Sequence, residues 1–127
     1  MENLVKEFLK QKRFAVVGSF RNESKYAYQI LKTLIKKGYE AYPVNPRISD
    51  VEGMKCYGSI GDIPFDIDVV NVVTPPSVTE AIVKECLGKS IKRVWLQPGA
   101  ENETVVKFCH DNNINVIYGL CIMLESK

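Results

Sequence analysis

The strongest constraint on what this chain folds into is a change of hydrophobic period that recurs along its length. Short apolar runs, Phe14-Ala15-Val16-Val17, Val69-Val70-Asn71-Val72-Val73 and Val94-Trp95-Leu96, alternate with segments whose apolar residues return every three or four positions. A strand covered on both faces requires the first pattern. A helix lying on a sheet requires the second. The spacing predicts strands at 14–17, 39–44, 69–73, 93–96 and 115–117, with a further short strand near 55–57. Helices are expected at about 2–11, at 26–35 on the stripe Tyr26, Ala27, Ile30, Leu31, Leu34 and Ile35, at 77–87 and around 105–109.

Local punctuation agrees with this division. Lys36-Lys37-Gly38 closes the second helix, with cations at its negative end and a glycine free to take the left-handed cap. Asn45-Pro46 stops the second strand, Thr74-Pro75-Pro76 stops the third, and Ser77-Val78-Thr79-Glu80 has the spacing of a capping box. Strands and helices that alternate in this way specify an α/β domain of three layers, a doubly wound, mainly parallel sheet of about five strands between two layers of helices. The whole chain, 1–127, reads as one such domain with an amino-terminal helix.

Composition narrows the classes of function. Of 127 residues, 46% are hydrophobic and 25% charged, and the net charge is only +2, with bases scattered among acids. Nucleic-acid binding needs a concentrated basic face, so it is not expected. The four cysteines form no Cys-x-x-Cys and accompany a single histidine, so no metal framework is legible. The amino terminus lacks the apolar run of a signal peptide, and no segment has the apolar length of a membrane span. A reduced, cytoplasmic protein is the expectation, with Cys86 and Cys109 as small buried hydrophobes.

In sheets of this kind ligands sit beyond the carboxyl ends of the strands, where the strand order reverses. The loops to examine are therefore Gly18 to Lys25, Asn45-Pro46-Arg47, Thr74-Pro75-Pro76-Ser77 and Gln97-Pro98-Gly99-Ala100. The first has one glycine where the dinucleotide fingerprint has three. It still joins a strand to a helix amino terminus, whose free amides and dipole favour a phosphate, and Ser19 and Ser24 add hydroxyls. At the tip of the second strand an NAD-binding domain carries an acid for the adenosine ribose, whereas this chain carries Arg47. That swap favours a ribose bearing a phosphate, as in NADP or coenzyme A. Arg21 and Lys25 bring further charge to the same end. Pro75 and Pro76 make a rigid apolar shelf for a flat base, beside backbone groups of Val73 and Thr74.

Taken together, Gly18-Ser19, Pro43-Val44-Asn45-Pro46-Arg47, Asp62-Ile63-Pro64, Val73-Thr74-Pro75-Pro76, Trp95-Leu96-Gln97-Pro98-Gly99-Ala100 and Cys121-Ile122-Met123 resemble, in order and spacing, the small stand-alone CoA-binding proteins of bacteria and archaea. More distantly they resemble the CoA-binding domain of the succinyl-CoA synthetase α subunit. The resemblance implies a Rossmann-like fold and coenzyme A as ligand. It puts the pyrophosphate on the first loop, Gly18 to Asn22, which includes Ser19, Phe20 and Arg21, the phosphorylated ribose by Asn45, Pro46 and Arg47, and the adenine by Val73, Thr74, Pro75 and Pro76. The synthetase's phosphorylated histidine has no counterpart, since His110 falls on the last main helix, so ligase chemistry does not carry over.

The expected function is thus non-catalytic binding of coenzyme A or an acyl-CoA, as carrier, sensor or partner subunit, with a protein partner or a homo-oligomer left open. Cys121, after the last strand, falls where a mixed disulfide with the thiol of CoA is conceivable. Two alternatives stand beside this reading. One is an NADP-dependent reductase subunit, which Arg47 would suit equally. The other is an interaction module that has lost its nucleotide and uses Leu4, Val5, Phe8 and Leu9 as an interface.

Overall fold

The computed structural model describes residues 1–126. Helix α1 (Glu2–Leu9) leads into β1 (Arg13–Val17), α2 (Tyr26–Lys36) and β2 (Glu40–Val44). A small excursion follows, with β3 (Asp50–Val51), β4 (Met54–Lys55) and a 3-10 turn, Ile60–Asp62. The chain then continues through β5 (Val69–Val72), α3 (Pro76–Gly88), β6 (Arg93–Leu96), α4 (Glu103–Asp111), β7 (Asn115–Tyr118) and α5 (Ile122–Glu125). The main sheet is five-stranded and parallel, in the order β2-β1-β5-β6-β7. This is the doubly wound, Rossmann-like arrangement expected. The chain leaves β1 to one side to form β2 and returns on the other to form β5, so the order reverses between β1 and β5.

The strand period of two sorts the core into its layers. Phe14 and Val16 of β1, Val69 of β5, Trp95 of β6 and Ile117 of β7 face α1, α2 and α5, where they meet Phe8, Ile30, Leu31 and Ile122. Their neighbours Ala15, Val17, Val70, Val72, Val94 and Leu96 face the other way, against Val83 and Cys86 of α3 and Val105 and Cys109 of α4. Because both faces are covered, the strand runs have no polar alternation to show, which is why they read as continuous apolar stretches. Cys86 and Cys109 are fully buried as expected, and burial pushes their thiols up to about 12 and about 11.

Helix α1 is a packing element rather than a free interface. Val5 and Phe8 are buried, and the Phe8 ring meets Trp95 edge-on with 6.1 Å between centroids. The Trp95 indole N–H donates to the Leu120 carbonyl at 2.9 Å, satisfying the polar atom of the largest buried side chain.

Three local expectations are adjusted, and one element was not anticipated. The short strand expected near 55–57 is present slightly earlier as β4, Met54–Lys55, paired with β3 in a hairpin, and Tyr57 adds a lone bridge to Val44. Ser77 does not cap α3: the helix begins at Pro76, and Thr79 Oγ1 hydrogen-bonds with the Thr74 and Pro75 carbonyl oxygens across its first turn. Proline, with no N–H to leave unpaired, displaces the serine from that boundary. Tyr26, placed on the apolar stripe of α2, is 67% exposed, while Ala27 beside it is buried against Gly18. The last turn, α5, carried no periodic signal in four residues and was not anticipated.

Candidate functional site

Two loops meet at the carboxyl edge where β1 and β5 diverge, and one glycine sets their separation. A Cβ on Gly18 would stand 2.7 Å from Ala27 Cβ, 3.0 Å from the Val73 carbonyl oxygen and 3.1 Å from Val73 Cβ. Only glycine lets α2 and the end of β5 close on the β1 terminus. Asn45 then ties the second-strand tip to the same point. Its Nδ2 donates to the Gly18 carbonyl at 2.7 Å and its Oδ1 accepts the Arg47 backbone N–H at 2.8 Å. Asn45 thereby acts as the clip that orients Arg47, and its amide is occupied in doing so.

Three cavities adjoin along this edge. The first, of about 450 Å³, lies between the Gly18-Ser19 backbone, Asn45 to Arg47 and the Val73-Thr74-Pro75 segment. A second, of about 390 Å³, shares Ser19, Asn45 and Arg47 with it and adds Phe20, Arg21 and Ile48. The third, of about 210 Å³, shares Val73 with the first and is completed by Tyr26, Gln97, Pro98 and Cys121. The shared walls make one trough that runs from the β2 tip across the switch point to the β6 and β7 loops.

The electrostatics of the trough differ from those of the rest of the surface. Of the four arginines in the sequence, Arg13 pairs with Glu40 and Arg93 with Glu7. Arg21 and Arg47 have no carboxylate partner among the described residues, and both line the second cavity. The helix amino termini fit the same pattern. Helix α4 satisfies its own first turn, with Asn102 Oδ1 accepting the Val105 N–H at 2.8 Å and Glu103 beside it. Helices α2 and α3, which start at the trough, have neither a side-chain cap nor an acid in the first turn. The uncapped amino terminus of α2 and the two guanidinium groups without carboxylates lie along one trough, an arrangement that suits a multiply charged anion.

Most residues expected from sequence fall on the trough, with particular differences. Gly18, Ser19, Asn45, Pro46, Arg47, Val73, Thr74 and Pro75 line the first cavity, and Phe20 and Arg21 the second. The Phe20 side chain is buried in the core under α2, so its main contribution is to anchor the loop. Lys25 and Pro76 line none of the three cavities: Lys25 is the residue before α2, and Pro76 is the first residue of α3. Ser24 is also unavailable as a donor, because both its N–H and its hydroxyl are directed to Asn22 Oδ1 in a local turn.

Several wall residues were missed by the sequence reading, among them Ile60, Glu85, Val78 and Tyr26. Ile60 and Glu85 enter the first cavity together, the Ile60 N–H donating to Glu85 Oε1 at 3.1 Å, and Val78 flanks them. The exposure of Val78, an apolar residue one turn into α3, is the kind of signal that marks a ligand wall, but it appears only once the helix is placed. Tyr26 was hidden by its position on an apolar stripe. His110 stands on α4, in a separate groove with Glu101 and Tyr118.

Comparison with known proteins bears on the occupant. A family model described as a CoA binding domain matches residues 12–127. The YneT protein of Bacillus subtilis, itself described as uncharacterized, is 33% identical over 119 residues, covering 93% of this chain and 88% of its own. The ADP-forming acetate-CoA ligase of Methanocaldococcus jannaschii is 36% identical over 81 residues, which are 64% of this chain but only 12% of the ligase. Among solved structures, a conserved hypothetical protein from Pyrococcus furiosus matches with a TM-score of 0.87 and 41% identity, over 91% of this chain and 99% of that one. No helix among the described residues is long and apolar enough to cross a membrane, and no group of potential ligands among them is arranged to hold a metal ion.

Proposed function

The chain belongs to the CoA binding domain family, and on that premise we propose that it binds coenzyme A, or an acyl derivative of it, without transforming it, as a carrier, sensor or partner subunit. The observation that carries this reading is the pair of arginines, Arg21 and Arg47, left without carboxylates on one cavity at the β1–β5 switch point. Coenzyme A has a phosphorylated ribose and a pyrophosphate to fill such a site. The adenine lies in the first cavity between Pro75 and the Asn45–Pro46 turn, and the pyrophosphate lies over Ser19 and the start of α2.

The non-catalytic part of the proposal has a separate support. The one carboxylate that lines the trough, Glu85, already has a structural partner, since its Oε1 accepts the Ile60 N–H. The one histidine in the chain lies in a different groove. A group that holds the fold together is a poor general acid or base, since proton transfer would break its bond.

Calorimetric titration with coenzyme A, its dephospho form and NADPH tests the reading. Wild-type protein binds coenzyme A more tightly than dephospho-CoA. Arg47→Glu lowers affinity for coenzyme A by ~10-fold or more, about 1.4 kcal/mol or above, and changes affinity for dephospho-CoA far less. Equal losses for both would remove Arg47 from the ribose phosphate. No heat with coenzyme A while NADPH binds would overturn the reading in favour of a reductase subunit.

A further inference from the structure

The tip of the β3–β4 hairpin carries a residue that the turn itself does not favour. Val51 pairs with Met54, so Glu52 and Gly53 form a two-residue loop, and both have positive φ, 51° and 86°. That is the type I′ geometry, in which asparagine or glycine fits the first position and a long side chain is disfavoured. The hairpin has its own tie, the Gly53 N–H donating to Asp50 Oδ2 at 3.1 Å, and needs nothing from the glutamate side chain to close.

The Glu52 carboxylate is committed to α2 instead. Its Oε2 accepts a hydrogen bond from the Tyr28 hydroxyl at 2.5 Å, and its Oε1 accepts one from Lys32 Nζ at 2.9 Å. Tyr28 and Lys32 stand one turn apart on the helix, so a single carboxylate closes on neighbouring donors of a rigid element. Tyr28 is itself packed against the core cluster that holds Val51 and Phe20.

The hairpin and α2 continue the walls of the second cavity. Ser19, Phe20 and Arg21 precede α2 in the chain, whereas Asn45, Arg47 and Ile48 lead into the hairpin. The far leg of the excursion is fixed to β2, with the Asn45 N–H donating to the Tyr57 carbonyl at 2.9 Å and the Tyr57 N–H to the Pro43 carbonyl at 3.0 Å. The near leg, Arg47 to Ser49, meets the far one through one main-chain hydrogen bond, from the Cys56 N–H to the Ser49 carbonyl at 3.0 Å. Arg21 and Arg47, without carboxylate partners among the described residues, put like charges on that cavity. Before an anion arrives they press its walls apart. The Glu52 contact, which lies outside the cavity, opposes the separation.

Resting on the coenzyme A reading above, we propose that Glu52 is a positioning residue for the phosphate site: by tying the hairpin to α2 it holds Arg47 at the spacing from Arg21 that the phosphorylated ribose and the pyrophosphate require. Preorganisation of this kind raises affinity without any contact to the ligand. Because the Glu52 and Lys32 side chains are each half exposed, the contact is weak by itself, and its effect is a modest factor rather than an all-or-none switch.

Glu52→Asn tests the proposal, since it suits the turn better while it removes the contact. The expected result is a melting temperature within ~2 °C of wild type. Affinity for coenzyme A falls ~3- to 10-fold in calorimetric titration, with the loss appearing as faster dissociation in stopped flow. The double variant Tyr28→Phe, Lys32→Gln removes the same contact from the helix side, leaves the turn untouched and gives the same loss. In an Arg47→Ala background, Glu52→Asn changes coenzyme A affinity by less than ~2-fold, because the residue it positions is gone. Unchanged affinity in Glu52→Asn and in the helix-side variant overturns the proposal, as does an undiminished loss in the Arg47→Ala background. A Glu52→Asn melting temperature ~5 °C or more below wild type also overturns it, since Glu52 would then be a stability residue. Each of these outcomes leaves binding by wild type, and the underlying reading, standing. No binding of coenzyme A by wild type defeats both.

Discussion

Gly18→Ala adds one methyl group at the tightest point of the fold. Its Cβ would lie 2.7 Å from Ala27 Cβ and 3.0 Å from the Val73 carbonyl oxygen, where ordinary contact begins at about 3.4 Å. Neither neighbour can rotate away, since one is a helix Cβ and the other is main chain bonded into the ladder, where Val73 N–H donates to the Val17 carbonyl at 2.8 Å. Overpacking of this kind costs about 1–3 kcal/mol. At about 2.1 cal/mol/K per residue, a chain of this length has an unfolding entropy of roughly 270 cal/mol/K, so the variant should melt ~4–11 °C below wild type.

Far-UV circular dichroism through the thermal transition measures the loss, and a double-mutant cycle assigns it. Ala27→Gly removes the nearest of the clashing atoms and leaves the Val73 oxygen in place, so the double variant should recover part of the loss but not all of it. The two losses adding without recovery would refute the close-approach argument, as would a Gly18→Ala melting temperature within about one degree of wild type. Affinity for coenzyme A should fall in the same variant, because whatever movement relieves the contact separates the two loops that bound the first cavity.

Other consequences follow from the packing and the titrating groups. Phe8→Ala should cost about 3–5 kcal/mol in denaturant melts, since Phe8 is fully buried against Trp95; a cost below about 1 kcal/mol would mean that α1 is dispensable. At high pH, Tyr42 is pushed up to about 12 by burial and by its hydrogen bond to Glu40, and Tyr28 to about 12 by its hydrogen bond to Glu52. An unfolded tyrosine ionises near 10.0, so the folded chain holds both protons where the unfolded chain releases them. Their contribution is intact below pH 10.0 and is lost between there and about 12. Melting temperatures should therefore fall over that interval, and less steeply in Tyr42→Phe; identical slopes would discard the linkage.

Much of the fold was legible because it is written in local spacing. A strand covered on both faces must be apolar at every position, so Phe14 to Val17 and Val69 to Val72 announce themselves. Arg47 was legible for the opposite reason, as a charge at a strand tip where a different charge is usual. The capping-box spacing of Ser77 misled because two prolines beside it fix the backbone more strongly than a serine hydroxyl does. Tyr26 misled because a periodic stripe records which side of a helix is apolar and says nothing about which of its residues the core covers.

The sequence by itself determined the elements, their faces and the residues at the strand tips, since each depends on neighbours within a few positions. It determined neither the strand order nor the company those tips keep. Only the tertiary structure brings Gly18 against Val73, clips Arg47 to the β1 terminus through Asn45, and seats Gln97 over Asn71 beside Cys121. Those contacts join segments that lie far apart in the chain. They are decided by how two helical layers close on a sheet whose order reverses between β1 and β5, which no local period encodes.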